Sequence, residues 1–335
     1  MKGASKSNLW RFLPGIAISA LAFFILSKLI NYQDLLNSFI YFSISDILVF
    51  FLIIFLSLIA RGFVWNSLLN DFSIKDAFFV INEGYLFNNL IPRSGEVARI
   101  IISSAISKND AFQVTAAIFF ERAIDLIIAA GMFLATLSLA LEMEWLRSTA
   151  LYIFVLFTIL LVCVLLIAIF AYKIQSYLVN RTSKFNFWER NIKPLIIKAI
   201  HGLTTISKPK KLLKGLFWIL CSWVFWVLIL YYAILQISPS APLWWALFTE
   251  GIIALGIALP SAPASLGVYE GTMVFALSIF GIKSDIALST AIIVHLVQIL
   301  ATSIFGLLGL FIHDFNISQI VSKIQTRLIK KKEIL

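Results

Sequence analysis

Residues 243–281 read LWWALFTEGIIALGIALPSAPASLGVYEGTMVFALSIFG, and the way this stretch is broken decides the fold. It consists of two apolar runs, 17 and 18 residues long, joined by Pro260-Ser261-Ala262-Pro263. Crossing a hydrocarbon core of about 30 Å takes about 20 helical residues. Proline removes a backbone donor and obstructs a helix, so the stretch reads as two half-helices meeting at a break. Irregular backbone at membrane depth is tolerated only where it is buried in protein or lines a cavity. The break therefore marks a site. The hairpin enters and leaves on one side, or forms two short full spans; either way the chain returns to the side it came from.

A second stretch has the same design. Residues 76–106 are apolar but interrupted by Asn82, Glu83, Asn88, Asn89, Pro92, Arg93, Glu96 and Arg99. Around the two stretches lie long apolar runs at 12–30, 47–69, 111–141, 150–172, 216–237 and 286–312. Apolar residues make up 61% of the 335 positions and charged residues 13%. Globular domains carry about 25% charged residues because their surface faces water. Half of that polar surface is missing here, which excludes a soluble enzyme with an ordinary core. The expected fold is all-α: a polytopic membrane protein of about six transmembrane helices plus two re-entrant broken hairpins in inverted repeats. Counting the hairpins as spans gives eight helices. Cys163 and Cys221 sit inside apolar runs without metal-ligand spacing and read as packing residues. The apolar run after Lys2, Lys6 and Arg11 continues past Ala20-Leu21-Ala22, so it reads as a retained first helix and not a cleaved signal.

Orientation follows from the basic residues. Residues 173–214 hold ten Lys and Arg against one acid, Glu189, and form a basic cytoplasmic linker. The N-terminal basic residues and a basic tail over 313–335 agree, so both termini are expected in the cytoplasm of a prokaryotic cell and the protein in its plasma membrane. The net charge of +10 comes largely from these segments. Anionic phospholipid headgroups account for it, and nucleic acid is not an expected partner. Residues 1–335 thus form one membrane domain. A first repeat spans 12–141 with its hairpin at 76–106, and a second spans 150–312 with its hairpin at 243–281. Each half reads span, span, broken hairpin, span. The first starts inside and the second outside, which is the pattern of inverted repeats that place a binding site near the midplane.

Three motifs in order, NNLIPRSGEVARI (88–100), FFERAIDL (119–126) and LPSAPASLGVYEG (259–271), resemble the transmembrane region of lysylphosphatidylglycerol synthases. The resemblance covers most of the chain and implies a flippase-like domain that moves a phospholipid between leaflets. Bifunctional relatives carry a soluble aminoacyltransferase domain after this region. The present chain ends about twenty residues beyond its last span, so lipid aminoacylation is not expected of it.

Charges at the centre of a span cost about 2.5–3.5 kcal/mol on insertion scales, so they face a cavity or a partner. Glu121, Arg122 and Asp125 open the third long span. Arg122 and Asp125 can pair at i,i+3, while Glu121 and Asp125 need a further cation from Arg61, Arg93 or Arg99. These groups read either as an internal ion-pair lock or as a headgroup or proton-relay site. Asn88, Asn89, Arg93, Glu96 and Arg99 surround the first break, where a half-helix N-terminus and Arg93 would suit a phosphate. The second break offers Ser261 or Ser265 as caps, then Gly267, Tyr269 and Glu270. The substrate-binding set is therefore Asn88, Asn89, Arg93, Glu96, Arg99, Glu121, Arg122, Asp125, Gly267, Tyr269 and Glu270. Arg61 is expected to snorkel to headgroups, and His295 and Glu250 read as packing or proton-carrying residues. No nucleotide or metal motif is present, so no cofactor, metal or ATP drive is expected. The expected function is translocation of a phospholipid or lipid-linked anionic substrate by alternating access. The alternatives are a membrane-embedded enzyme on a lipid phosphate, and a non-catalytic partner of a lipid- or glycan-modifying enzyme.

Overall fold

The computed structural model describes residues 13–141, 144–180, 208–318 and 320–322, with scattered positions between 193 and 200. Most of the expected basic linker, and of the basic tail beyond 322, lies outside these residues, as do Lys2, Lys6 and Arg11. The chain is an all-helical polytopic membrane protein, and no strand occurs among the described residues. The helices are α1 (Leu13–Leu29), α2 (Tyr32–Ser38), α3 (Ile44–Leu68), α4 (Ile74–Leu90), α5 (Gly95–Ile106), α6 (Ala111–Leu141) and α7 (Glu144–Asn180). After these come α8 (Pro209–Ile237), α9 (Leu243–Ile257), α10 (Val268–Ile279) and α11 (Ser284–Ile312). Four of them, α3, α6, α8 and α11, are each long and apolar enough to cross a membrane.

Local chemistry fixes the helix starts. Ser43 accepts from the Asp46 amide at 3.3 Å, and the Asp46 carboxylate accepts from the Ser43 amide at 2.8 Å, a reciprocal cap. Ser73 and Asp76 start α4 in a related way, and Asp110 accepts the Phe112 and Gln113 amides ahead of α6. The aspartates near the helix ends are thus caps as well as surface charges. Two boundaries differ from the apolar runs. Helix α7 continues to Asn180 and α8 begins at Pro209, so Lys173, Lys210, Lys211 and Lys214 are carried on helices. Hydrocarbon length limits the apolar run, and the helix itself extends past it.

The bundle has two distinguishable ends. At the basic end, Asn109 donates to the Asn70 carbonyl at 2.8 Å, and Lys211 donates to Asn70 Oδ1. Both ends of the α4–α5 pair and the start of α8 therefore meet there. At the opposite end, Tyr232 donates to Asp46 at 2.6 Å, and the rings of Trp245 and Phe280 stack at 4.5 Å. Both ends of the α9–α10 pair lie there. The α5 and α10 helices, 12 residues each, rise only about 18 Å. The two hairpins enter the bundle from opposite ends, and their tips touch where Arg93 Nη2 donates to the Ala258 carbonyl at 2.8 Å.

Packing between the halves is reciprocal. Helix α3 lies on α8, α4 lies on α11, and α9 lies on α6. Glycine permits the two hairpin contacts. A Cβ at Gly251 would come within 2.8 Å of the Phe133 amide on α6, and one at Gly306 within 2.6 Å of the Asn82 carbonyl on α4. Small residues of this kind let helix backbones approach where no hydrophobic drive acts between helices. Apolar clusters fill both halves of the bundle, one around Trp65, Phe87 and Ile124, the other around Phe50, Met273 and Val294.

We predict that Gly306→Ala lowers stability by about 1–3 kcal/mol through overpacking. Gly271→Ala, whose Cβ would meet only Ala22 at 3.6 Å, should be neutral or stabilising by up to about 1 kcal/mol. Thermal unfolding of both variants in detergent checks this; equal midpoints would contradict the backbone contact.

Candidate functional site

Helix α3 places Arg61 and Trp65 one turn apart, facing Glu121 and Asp125 on α6. Arg61 is buried, and each of its three guanidinium nitrogens donates a hydrogen bond. Nη2 and Nη1 donate to the two Asp125 oxygens at 2.7 and 3.1 Å, and Nη1 also donates to Glu121 Oε1 at 3.0 Å. Nε donates to Ser222 Oγ on α8 at 2.9 Å. Two indoles complete the carboxylates: Trp65 Nε1 donates to Glu121 at 2.7 Å, and Trp223 Nε1 to Asp125 at 2.9 Å. Arg61 does not snorkel, because two carboxylates inside the bundle meet its charge. It is the cation that Glu121 and Asp125 require. Arg122 is half-exposed and stands 3.6 Å from Asp125 and 3.8 Å from Glu96.

Arg99 on α5 differs from every other cation in the centre. It is 1% exposed, yet none of its three guanidinium nitrogens has a hydrogen-bond partner among the described residues. Its charge is met by Glu121 at 3.9 Å and by the Tyr85 ring at 4.8 Å. Gly84 makes the room, since a Cβ there would lie 2.5 Å from Arg99 Nε.

The first tip is held by its own polar residues. Asn88 Oδ1 accepts the Gly95 amide at 2.7 Å, so one N-terminal amide of α5 is already satisfied. Asn89 donates to Thr302 and Ser303 on α11 at 3.2 and 3.1 Å. Arg93 adopts a left-handed backbone (φ 57°), as do Ala264 and Ser265 in the second break. Each such residue costs on the order of 1–3 kcal/mol and persists where surrounding structure enforces it. In the second tip, Ser261 and Ser265 bond to each other at 3.2 Å, and the α10 cap is Gly267. The Gly267 amide donates to Glu270 Oε2 at 2.6 Å, so the carboxylate of the chain itself fills that N-terminus. Glu270 Oε1 lies 2.7 Å from His295 Nδ1, and the Tyr269 ring stacks on the imidazole at 4.1 Å. The candidate residues therefore fall into two groups. Arg99, Glu121, Arg122, Asp125 and Glu96 gather in one centre, Gly267, Tyr269 and Glu270 in another. Asn88, Asn89 and Arg93 stand at the tips between helices.

A third polar cluster has no counterpart in the sequence reading. His313, just beyond α11, places Nδ1 2.8 Å from Glu83 and Nε2 3.5 Å from Asp76. Burial lowers its proton affinity, but the hydrogen bond and charge of Glu83 outweigh this and hold its pKa above the ordinary histidine value. Partners 230 positions apart leave no spacing signal in a sequence. Among the described residues no group of three or more His, Cys, Asp or Glu side chains could hold a metal ion.

The chain belongs to the family described as Lysylphosphatidylglycerol synthase TM region, which matches residues 12–306 and so includes both hairpins and both polar centres. A UPF0104 membrane protein of Methanocaldococcus jannaschii is 22% identical over 237 residues, covering 69% of this chain and 95% of that protein. No solved structure matches the chain.

Removing one partner of a buried ion pair strands the other charge and typically costs about 3–5 kcal/mol. We predict that Arg61→Met loses stability on that scale. The double change that also makes Asp125→Asn should recover part of it, because the carboxylate bound by two nitrogens of Arg61 is no longer stranded while Glu121 keeps Arg99 as its cation. Unfolding midpoints in detergent test this; a double variant no more stable than Arg61→Met would contradict it.

Proposed function

We propose that this chain translocates a phospholipid or lipid-linked anionic substrate between membrane leaflets, by alternating access of two inverted repeats. The observation that carries the reading is Arg99. A buried charge without hydrogen bonds is costly, and the planar fork of a guanidinium suits the paired oxygens of a phosphodiester. An anionic headgroup that reached Arg99 would supply what the protein does not. Reciprocal packing supports the repeats: the pairs α4 with α11 and α9 with α6 exchange under a swap of the two halves, and α3 with α8 maps onto itself. Two hairpins entering from opposite ends with touching tips suit a site reached in turn from each leaflet.

On this reading the basic end faces the cytoplasm of a prokaryotic cell, with both termini on that side and anionic headgroups against Lys208–Lys214. A separate enzyme of lipid or glycan metabolism is a fitting partner to supply or consume the cargo. The enzyme alternative draws less support, because Glu121, Asp125 and Glu270 are committed to cations, indoles or a helix cap. None is a free base beside a nucleophile.

The test is leaflet exchange of fluorescent phosphatidylglycerol, polyprenyl-phosphate and diacylglycerol probes in proteoliposomes. Arg99→Met should lower exchange of the anionic probes at least about tenfold while leaving stability equal or higher, since it removes an unsatisfied buried charge. Undiminished exchange by Arg99→Met would contradict the site. Absence of any exchange by folded wild-type protein would contradict translocation.

A further inference from the structure

The mechanism above leaves unused the buried acid–imidazole pair in the second centre. Glu270 and His295 are 5% and 4% exposed. Both line a cavity of about 500 Å³ whose other walls are mostly apolar, including Leu26 of α1, Leu266, and Leu288 and Ile292 of α11, with Ser27 and Tyr32 as the polar exceptions. His295 Nδ1 is engaged with Glu270, and Nε2 makes no hydrogen bond among the described residues. A hydrophobic wall with this acid–imidazole pair in it differs from a structural ion pair such as Arg61–Asp125, in which every guanidinium nitrogen is hydrogen-bonded.

The same carboxylate also fixes the backbone at the second tip. Glu270 Oε2 holds the Gly267 amide at 2.6 Å, where the chain turns with φ 81°. From that turn the tip reaches two other elements. The Ala262 amide donates to Ser19 on α1 at 2.9 Å, and the Ala258 carbonyl accepts from Arg93 of the first hairpin. One side chain thus joins a proton acceptor on α11 to the contact between the two hairpins.

We propose that Glu270 and His295 form a proton-binding site that governs the second hairpin tip and couples lipid translocation to proton movement. The coupling rests on the translocator reading; the proton site and its hold on the tip do not. With one proton on the imidazole, Nδ1–H donates to an ionised Glu270, and the pair carries one negative charge beside the α10 N-terminus. A proton entering from the cavity binds Nε2 and makes an imidazolium. No bond other than N–H forms, and the pair becomes neutral. The Nδ1–H···Oε1 bond becomes charge-assisted, the carboxylate charge is drawn toward the ring, and its hold on the Gly267 amide weakens. Release of that proton to water restores the cap. Histidine is the side chain suited to this, because its charge changes near neutral pH.

Other titratable groups around the pair are Tyr269 on α10, stacked on the ring, Tyr32 on α2, which lines the cavity, and buried Glu250 on α9, the helix packed against α10. Helix α3 brings Arg61, held by Glu121 and Asp125, and α4 brings Glu83, held by His313. Helix α8 brings Tyr232, bound to Asp46 at the opposite end of the bundle. Helix α1 contributes Ser27 and apolar Leu26 to the cavity wall and no charged side chain, and Ile30 just beyond it adds a further apolar side chain.

Two measurements on the full chain in lipid nanodiscs test the proposal. The chain has three histidines, so the ¹⁵N imidazole signal lost in His295→Gln identifies His295. That signal should change with pH near neutrality in the parent chain, and Glu270→Gln should alter that change. A nitroxide on Ser261→Cys, with Cys163 and Cys221 replaced by serine, should change its line shape over the same range. The change should vanish in His295→Gln and persist in His313→Gln. A His295 signal fixed in one protonation state, or a nitroxide indifferent to pH in the parent chain, would overturn the proposal. Failure of lipid exchange would instead remove the translocator reading and leave both measurements standing.

Discussion

A cation placed among hydrocarbon chains must be met by groups of the protein itself, and Arg61 shows how this chain meets that demand. Its guanidinium draws carboxylates from α6 and a hydroxyl from α8 onto α3, and two indoles donate to the same carboxylates. Three long helices are tied at one point between the two apolar clusters. Lipid offers no hydrophobic reward for helix association, so packing and polar contacts of this kind carry much of the specificity. The hairpin tips are less firmly tied. They rest on a small number of hydrogen bonds and on left-handed backbone at Arg93, Ala264 and Ser265. A rigid centre beside strained, lightly held breaks is the arrangement a moving hairpin requires.

The two polar centres differ in a way that suits different work. Around Arg61 every guanidinium nitrogen finds an acceptor, so the group holds helices together. Arg99 lies against that group with its nitrogens unmet, and Glu270 divides its two oxygens between a helix terminus and a histidine. Unsatisfied or shared polar groups in a low-dielectric interior are sensitive to what enters beside them. Arg99 lies on α5 of the first hairpin and Glu270 on α10 of the second, so each hairpin carries one such group.

Much of this was legible in the sequence. The proline-centred breaks at Pro92 and Pro260, the long apolar runs and the ordered motifs gave the hairpins, the helices and the family. The partners were not legible, for a physical reason. In lipid both faces of a helix are apolar, so the periodicity that marks the buried face of a soluble helix is lost. Phe119 is 71% exposed and Phe120 is 2% exposed, yet nothing in their residue types separates them. Arg61 reads both as a headgroup cation and as one of three candidate partners of Glu121 and Asp125 for the same reason, since the turn of α3 that faces Glu121 is not distinguished by its neighbours. The short helix α2 was missed because its signal is a single cap, Asn31 accepting the Gln33 amide. Glu270 reads from its motif as a substrate-binding residue, and its position three residues after Gly267 also makes it a cap of α10.

The central claim is that the two hairpins are inserted from opposite faces of the membrane. Single cysteines at Lys108, beside the first hairpin, and at Lys283, beside the second, can be labelled with a membrane-impermeant maleimide in sealed vesicles of known orientation. The account predicts that Lys108→Cys reacts only from the cytoplasmic face and Lys283→Cys only from the opposite face. Labelling of both from the same face would contradict it.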